Sequence, residues 1–309
     1  MTLPLAADHA FADVEMVMVT FHSRDHVRGF LESVGPEIPL VLIDNSAGAD
    51  DVAGVVTNRP GTRYLTGPGR GFATAANIGA RTSTAEYLIF VNPDSRPTRE
   101  VLLALVADLR EASDLGCVAA LLTGADGQGE RGAGGWEPSP RRALVHAAGL
   151  HKWFRSAGLY ARPRPYELVD VDWVVGACTA VRRPEFLALG AFDESYFVYS
   201  EDVDWSRRLR AAGYRVRLRT DLLVPHSAGS SGGTSSTTMS RIKGASFAAY
   251  TRRHVGGAAA TCVVAVEALG AIGRTVLYLL TARTGTARSM AAYARGLLLG
   301  AEPPIGSAT

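Results

Sequence analysis

The sequence predicts an α/β protein: a mostly parallel sheet flanked by helices, with a helical extension at its C-terminal end. Three observations carry this. Short runs of β-branched and apolar residues alternate with segments of helical period over the first 122 residues, as expected for parallel strands joined by crossover helices. Polar residues stand where those runs end: Thr20, Asp44 and Asp94. From Arg241 to Leu299 the composition turns helical, rich in Ala, Leu and Arg.

Taken in order, Val14–Thr20 (VEMVMVT) reads as a strand and residues 25–34 as a helix. Leu40–Asp44 is a short apolar strand closed by Asn45-Ser46, and 72–83 is helical. Tyr87–Val91 (YLIFV) is a buried strand closed by Asn92-Pro93-Asp94. Residues 98–111 form an amphipathic helix, with Val101, Leu102, Leu105, Val106 and Leu109 on one face, and 117–122 a further strand. The Gly-rich stretch 124–140 marks a junction. Beyond it, 168–182 has strand character, 199–212 reads as a helix, and 214–218 and 222–225 as two short strands. The polar, low-complexity run 228–238 is suited to a lid. The expected organisation is an α/β domain over 1–240, with halves at about 14–122 and 140–240, and an extension over 241–309. Ligands of such sheets bind outside the carboxyl ends of the strands.

With 47% hydrophobic and 20% charged residues among 309, the chain is not a disordered one. Cys117, Cys178 and Cys262 are far apart and form no CxxC pair, which argues against a disulfide framework or a cysteine zinc site and for a reducing compartment. The first residues carry acids and no basic n-region, so no signal peptide is expected and the protein is placed in the cytoplasm. The net charge is +2, but eight Lys/Arg from Arg241 onward face only Glu267 and Glu302, making that segment +6 and the rest −4. A basic, apolar tail suggests an anionic partner. The expectation is peripheral docking on the inner face of the cytoplasmic membrane, not spanning, because Glu267 and Arg274 interrupt the apolar run. Packing on the α/β domain, or on a second subunit in a homodimer, is the alternative. No nucleic acid is expected.

Several motifs carry chemistry. Asp94, just after a buried strand, can hold a divalent ion on a diphosphate, hard oxygen ligands suiting Mg or Mn; Asn-Pro-Asp is equally a turn sequence. Asp44 can accept from a base or a ribose hydroxyl, or simply form an Asx turn or helix cap. The glycines at 67, 69, 71 and 79 permit close backbone approach and lead into a helix whose N-terminus can face an anion. They fit neither GxGxxG nor a P-loop. Glu201, Asp202 and Asp204 crowd three carboxylates at a helix start; they suit the helix dipole, yet like charges raise one another's pKa, as a general base requires. Arg207 and Arg208 can pair with them or with phosphate. His226 follows a strand and is either structural or a ligand.

The segments Thr20-Phe21-His22-Ser23, Ile43-Asp44-Asn45-Ser46, Gly69 to Gly79, Asn92-Pro93-Asp94, Gly176-Ala177, Gly190-Ala191-Phe192-Asp193-Glu194 and Glu201-Asp202-Val203-Asp204-Trp205 occur in this order. As an ordered set over about residues 14–230, they resemble glycosyltransferase family 2, and within it the rhamnosyltransferase-like branch. The resemblance implies a GT-A fold, Rossmann-like in its nucleotide-binding half. It implies a nucleotide-sugar donor site with Asp44 on the base and Thr20, Phe21, Gly71, Phe72, Asn77, Asn92 and Arg208 around it. It implies Mg or Mn on Asp94, with Asn92 in place of the first carboxylate of the family's Asp-x-Asp motif, and His226 near the diphosphate as a further metal ligand. Asp202 would be the base with Glu201 beside it, and Gly176 and Trp205 would face the acceptor. The activity implied is inverting transfer of a sugar to a hydroxyl acceptor, polyprenyl-linked or part of a cell-envelope glycan. Rhamnose from a dTDP donor is the first expectation, and a galactofuranosyl or other hexosyl donor the alternative. A nucleotidyltransferase would show a Gly-rich loop after the first strand, which TFHSRDH does not supply. A non-catalytic nucleotide-sugar-binding module would not need Asp202.

Overall fold

The computed structural model describes residues 10–301 except 131, 163, 165 and 228–235, so most of the expected lid at 228–238 lies outside the described residues. In chain order the elements are β1 (Val14–Thr20), α1 (Arg24–Ser33), β2 (Leu40–Asp44), α2 (Val52–Val56), β3 (Thr62–Thr66), α3 (Phe72–Thr82), β4 (Tyr87–Val91), α4 (Arg99–Glu111), β5 (Leu115–Thr123), β6 (Gly134–Gly135) and α5 (Pro140–Ala147). After a single 3₁₀ turn at Leu150–Lys152 follow β7 (Leu168–Val171), β8 (Trp173–Val174), β9 (Cys178–Arg182), α6 (Arg183–Ala188), α7 (Glu201–Ala211), β10 (Arg215–Pro225), α8 (Ser236–His254), α9 (Gly257–Leu280) and α10 (Thr284–Leu299).

The main sheet runs β3-β2-β1-β4-β9-β5-β10-β7. Its β1 pairs in parallel with β2 and β4, β2 with β3, and β5 with β10. The antiparallel members are β9, between β4 and β5, and β7 at the edge. One face of the sheet buries Phe30, Leu102 and Leu105 of α1 and α4. The other buries Ala73, Ala76, Phe186, Trp205 and Leu209 of α3, α6 and α7. The strands β2 and β4 are fully buried, which is why they read as unbroken apolar runs.

The structure differs from the sequence reading in places with physical causes. The missed strand β3 (TRYLT) is only partly buried and carries Arg63, which reaches Glu15 at 2.8 Å, so it has no apolar run. The region 168–182 is three strands in two sheets. The two short strands expected at 214–225 are one strand with a register shift between Arg219 and Leu223; Arg219 closes the irregularity on Asp221 at 2.6 Å. In the Gly-rich junction, a Cβ on Gly135 would sit 2.3 Å from the Leu159 carbonyl and 2.5 Å from the Trp173 ring, so these glycines serve close packing.

The boundary expected at residue 240 falls inside α8, and the extension is fastened to the sheet domain. The Tyr250 hydroxyl donates to both oxygens of Glu137 at 2.9 and 2.8 Å, Ser246 to the Val198 carbonyl at 2.9 Å, and His254 lies 2.7 Å from Asp204. Glu267, fully buried on α9, meets His146 of α5 at 2.9 Å. Between α8 and α10, a Cβ on Gly244 would meet the Tyr293 carbonyl at 2.2 Å and one on Gly296 the Arg241 carbonyl at 2.0 Å. Only glycine allows helices that close.

Candidate active site

The carboxyl ends of β1, β2, β4, β5 and β10 open on one side of the sheet. Thr20 ends β1, buried, its hydroxyl without a hydrogen-bond partner among the described residues. Phe21, next to it, is exposed. Asp44 ends β2 and is fully buried. Its Oδ1 accepts from the Ser46 amide at 2.8 Å and the Ser46 hydroxyl at 2.6 Å, and its Oδ2 from the Gly48 amide at 2.8 Å and the Tyr64 hydroxyl at 2.7 Å. Burial raises its pKa, but these bonds together lower it below the usual range. This is the Asx-turn arrangement: Asp44 builds the 45–50 turn, and its two oxygens are engaged before any base arrives.

Asp94 follows β4 and is 2% exposed. Its Oδ1 lies 3.2 Å from Nε2 of His226, which follows β10. The backbone holds the pair together: Ser95 bridges His226, and Ser227 donates to the Asp94 carbonyl at 3.1 Å. Asn92 donates its amide to the Ala177 carbonyl at 3.0 Å, tying the turn to the segment before β9. On its far side the His226 Nδ1 meets Glu130 at 3.1 Å. Burial lowers the His226 pKa, but Asp94 and Glu130 overcome it and raise it to about 9. Glu130 comes from the junction loop and was not foreseen in the sequence.

Asp202 stands in the first turn of α7. The chain enters that helix through Tyr199 and Ser200, both at positive φ (69° and 72°) without being glycine; such strain concentrates at functional sites. Asp202 accepts from the Val203 amide at 2.8 Å and the Gly176 amide at 3.3 Å, and it lines a cavity of about 130 Å³. Burial raises its pKa to about 6, against those amides and Lys243, which lower it. Glu201 is buried, its Oε2 lacks a hydrogen-bond partner among the described residues, and burial with the Asp202 charge raises its pKa well above the ordinary value. Burial and the neighbouring charge thus bias Glu201 toward its neutral form, next in sequence to a carboxylate that titrates. The Tyr199 ring links the two centres. It lines the cavity with Asp202, and its hydroxyl is raised to about 12 by burial and by the charges of Glu201 and Asp94.

Other expected residues are not brought to this cavity. The Gly71 turn is closed: Phe72 donates to the Phe197 carbonyl at 2.8 Å, and a Cβ on Gly71 would meet that carbonyl at 2.1 Å. The first amide of α3 is thus engaged by the Phe197 carbonyl. Asn77 is fully buried and exchanges bonds with the backbone of Phe192 at 2.8 and 3.0 Å. Arg208 pairs with Asp204 at 2.8 Å and donates to the carbonyls of Leu189 and Ala191. Trp205 is buried against Phe186 and Phe192. These residues build the framework that holds α7. Lys243 of α8, which no sequence motif marks, lines the cavity instead.

The acid–imidazole pair stands at the carboxyl ends of parallel strands, and Asp202, with its raised pKa, stands at the start of α7; the charges of Asp94 and Glu201 both reach Tyr199. The chain belongs to glycosyltransferase family 2: the family model "Glycosyl transferase family 2" matches residues 16–167. Over 238 residues, 70% of this chain and 77% of the relative, it is 30% identical to an N-acetylglucosaminyl-diphospho-decaprenol L-rhamnosyltransferase of Mycobacterium tuberculosis. It is 22% identical to the rhamnosyltransferase WbbL of Escherichia coli, over 66% of this chain and 79% of that one. The fold is similar to that of a mannosyltransferase from Pyrobaculum calidifontis, solved with GDP-Man and Mn2+, with a TM-score of 0.62 at 16% identity over 94% of this chain and 88% of that one. The protein is a glycosyltransferase.

Proposed function

We propose that the protein transfers rhamnose from a nucleotide diphosphate donor to a hydroxyl of a sugar carried on a polyprenyl diphosphate, with inversion at the anomeric carbon. The observation that carries the chemistry is Asp202, a carboxylate with a raised pKa at the wall of a cavity, anchored by the Gly176 and Val203 amides. Asp202 takes the proton from the acceptor hydroxyl as that oxygen attacks the anomeric carbon and the nucleoside diphosphate leaves from the opposite side. A single displacement inverts the centre. Both relatives, being rhamnosyltransferases, support the choice of sugar, and the Mycobacterium tuberculosis relative alone supports the polyprenyl diphosphate acceptor.

Asp94 can hold a divalent ion, and His226 can join it only after giving up the proton that the Asp94 and Glu130 charges favour in the ion's absence. The facing atoms of Asp94 and His226 are 3.2 Å apart, close to the ~3 Å separating neighbouring ligands around an ion with ~2.1 Å bonds. Glu130 on the other ring nitrogen fixes the tautomer, as outer-shell carboxylates do for metal-bound histidines. With two protein donors, the remaining positions fall to phosphate oxygens and water. Mn or Mg bound there would offset charge on the leaving diphosphate. Asp44 acts through the turn it holds, with the base resting against 45–48 and Tyr64. The test is a screen of nucleotide sugars by nucleoside diphosphate release, with and without EDTA. Release from a rhamnosyl donor alone, lost in EDTA and regained with Mn, is expected; equal release from other hexosyl donors overturns the sugar, and indifference to EDTA overturns the metal.

We also infer that α9 lies against an anionic bilayer on the cytoplasmic side. It is long and apolar enough to cross a membrane, with 28% of its apolar window buried. One face packs on α5 through Glu267, while Leu269, Ile272, Val276, Leu279 and Leu280 form an exposed stripe. Exposed Trp153 and Phe154 lie beyond α5, flanked by Lys152 and Arg155, and no acid occurs between Glu137 and Glu167. Aromatic and basic side chains together suit the lipid interface. Because α8 is part of the cavity, the test is substitution in the full chain. Leu269→Glu with Val276→Glu should abolish flotation with anionic liposomes at low salt, and undiminished flotation sinks the assignment.

A further inference from the structure

The cavity beside Asp202 has a composition that the reaction at Asp202 does not by itself require. Its floor and walls are aromatic: Trp136, Tyr160, Trp173, Phe247, Tyr250 and Tyr293. Three are fixed by their own contacts. The Trp173 ring nitrogen donates to the Trp136 carbonyl at 3.3 Å, the Tyr160 ring stands edge-on to Trp173 at 5.9 Å, and Tyr250 is anchored on Glu137. The volume of about 130 Å³ is well below the ~300–1,000 Å³ of sites for larger organic ligands, so a nucleotide does not fit inside it and only a small part of a ligand, such as one face of a sugar ring, can enter. Rigid rings with a single carboxylate at the edge suit a sugar that stacks on one face and offers a hydroxyl to Asp202.

Asp202 and Lys243 are the charged side chains that line it. Among the described residues no carboxylate oxygen lies within 4.0 Å of the lysine ammonium, which rests 5.7 Å over the Tyr199 ring. The side chain is exposed to solvent at the edge of the cavity, and the protein around it lowers its pKa against Asp202 and Glu130, which raise it. Asp94 and His226, on which the donor diphosphate rests in the reading above, do not line this cavity. The site therefore has a cation of its own, supplied by α8 of the C-terminal extension, at the mouth of a small aromatic pocket.

We propose that this cavity is the acceptor subsite and that Lys243 is its phosphate-binding residue, holding the diphosphate of a sugar diphosphate whose ring rests against the aromatic lining. The proposal rests on the transferase reading above and adds to it the part of the chain that recognises the acceptor's phosphate. The bonds from Tyr250 to Glu137 and from Ser246 to Val198 fasten α8, the helix that carries Lys243, to the sheet domain.

The test is calorimetric titration of the full chain with two short-alkyl probes: N-acetylglucosamine α-diphosphate alkyl ester and the neutral alkyl glycoside of the same sugar. Wild type should prefer the diphosphate probe by about tenfold or more, the worth of one charge-assisted hydrogen bond. Lys243→Ala should bring the two probes to within about twofold and Lys243→Arg should keep most of the preference, while affinity for free nucleoside diphosphate stays unchanged in both. A preference that survives Lys243→Ala overturns the proposal. So does an equal loss of nucleoside diphosphate affinity, which would move Lys243 to the donor side, or failure of wild type to bind either probe. In each case, metal-dependent release of nucleoside diphosphate by wild type would leave the transferase reading standing.

Discussion

Asp44 and Asp202 are both aspartates at the end of an element, enclosed by protein on the same open side of the sheet, and they have been given opposite chemistry. Asp44 receives four hydrogen bonds from Ser46, Gly48 and Tyr64, and its pKa falls. Asp202 receives two from backbone amides, follows a buried glutamate, and its pKa rises to about 6. The first is spent on holding a turn; the second is left with capacity to bind a proton. Residue type and position in the motif do not separate these roles. The number of donors aimed at each carboxylate does.

Breaking Asp202 should have the largest effect. Asp202→Asn keeps the shape and removes the base, so turnover should fall by ~10²–10⁴-fold with donor affinity retained; near-normal turnover by the folded variant would make Asp202 another framework carboxylate. Asp94→Ala comes next. It should weaken donor binding and the response to Mn together, by at least the ~10–100-fold that even an outer-shell partner is worth, and calorimetry with nucleoside diphosphate, with and without EDTA, reads both. Asp44→Ala should be smaller for catalysis and larger for stability. It leaves the Ser46, Gly48 and Tyr64 donors without their acceptor, where hydrogen bonds to a charged group are worth ~1.5–3 kcal/mol each. The thermal midpoint should drop and nucleoside diphosphate affinity should weaken with it, whereas unchanged affinity would remove the turn from the donor site. Tyr64→Phe, which takes one of the four bonds, should give the smallest shift of the series in both.

The same contrast explains how much could be read in advance. Residues whose local sequence sets their place were legible. Buried β2 and β4 announce themselves as apolar runs, Asp44 and Asp94 stand where those runs stop, and Asp202 stands where a helix signal starts. Illegible were features set by distant chain. Glu130 meets His226 across 96 residues, and Tyr250 meets Glu137 across 113. Lys243 reaches the cavity from a helix whose sequence reads only as basic and apolar. Arg208 and Trp205 belonged to the right motif, but packing engages them with Asp204 and the aromatic core. Glu267, which in sequence merely interrupts an apolar run, is the buried partner of His146 that binds α9 to α5.

The central claim is that Asp202 works as a base because its surroundings raise its pKa without fixing its proton, and the pH dependence of kcat/KM for sugar transfer tests it most directly. A base acts deprotonated, so a raised pKa removes activity at higher pH than an ordinary aspartate would: the rate should be flat above about 6 and fall about tenfold per pH unit below it. The residual transfer of Asp202→Asn should lack that limb. An acid limb that persists unchanged in Asp202→Asn, or a wild-type rate that stays level down to the ordinary aspartate range near 4, would contradict the account.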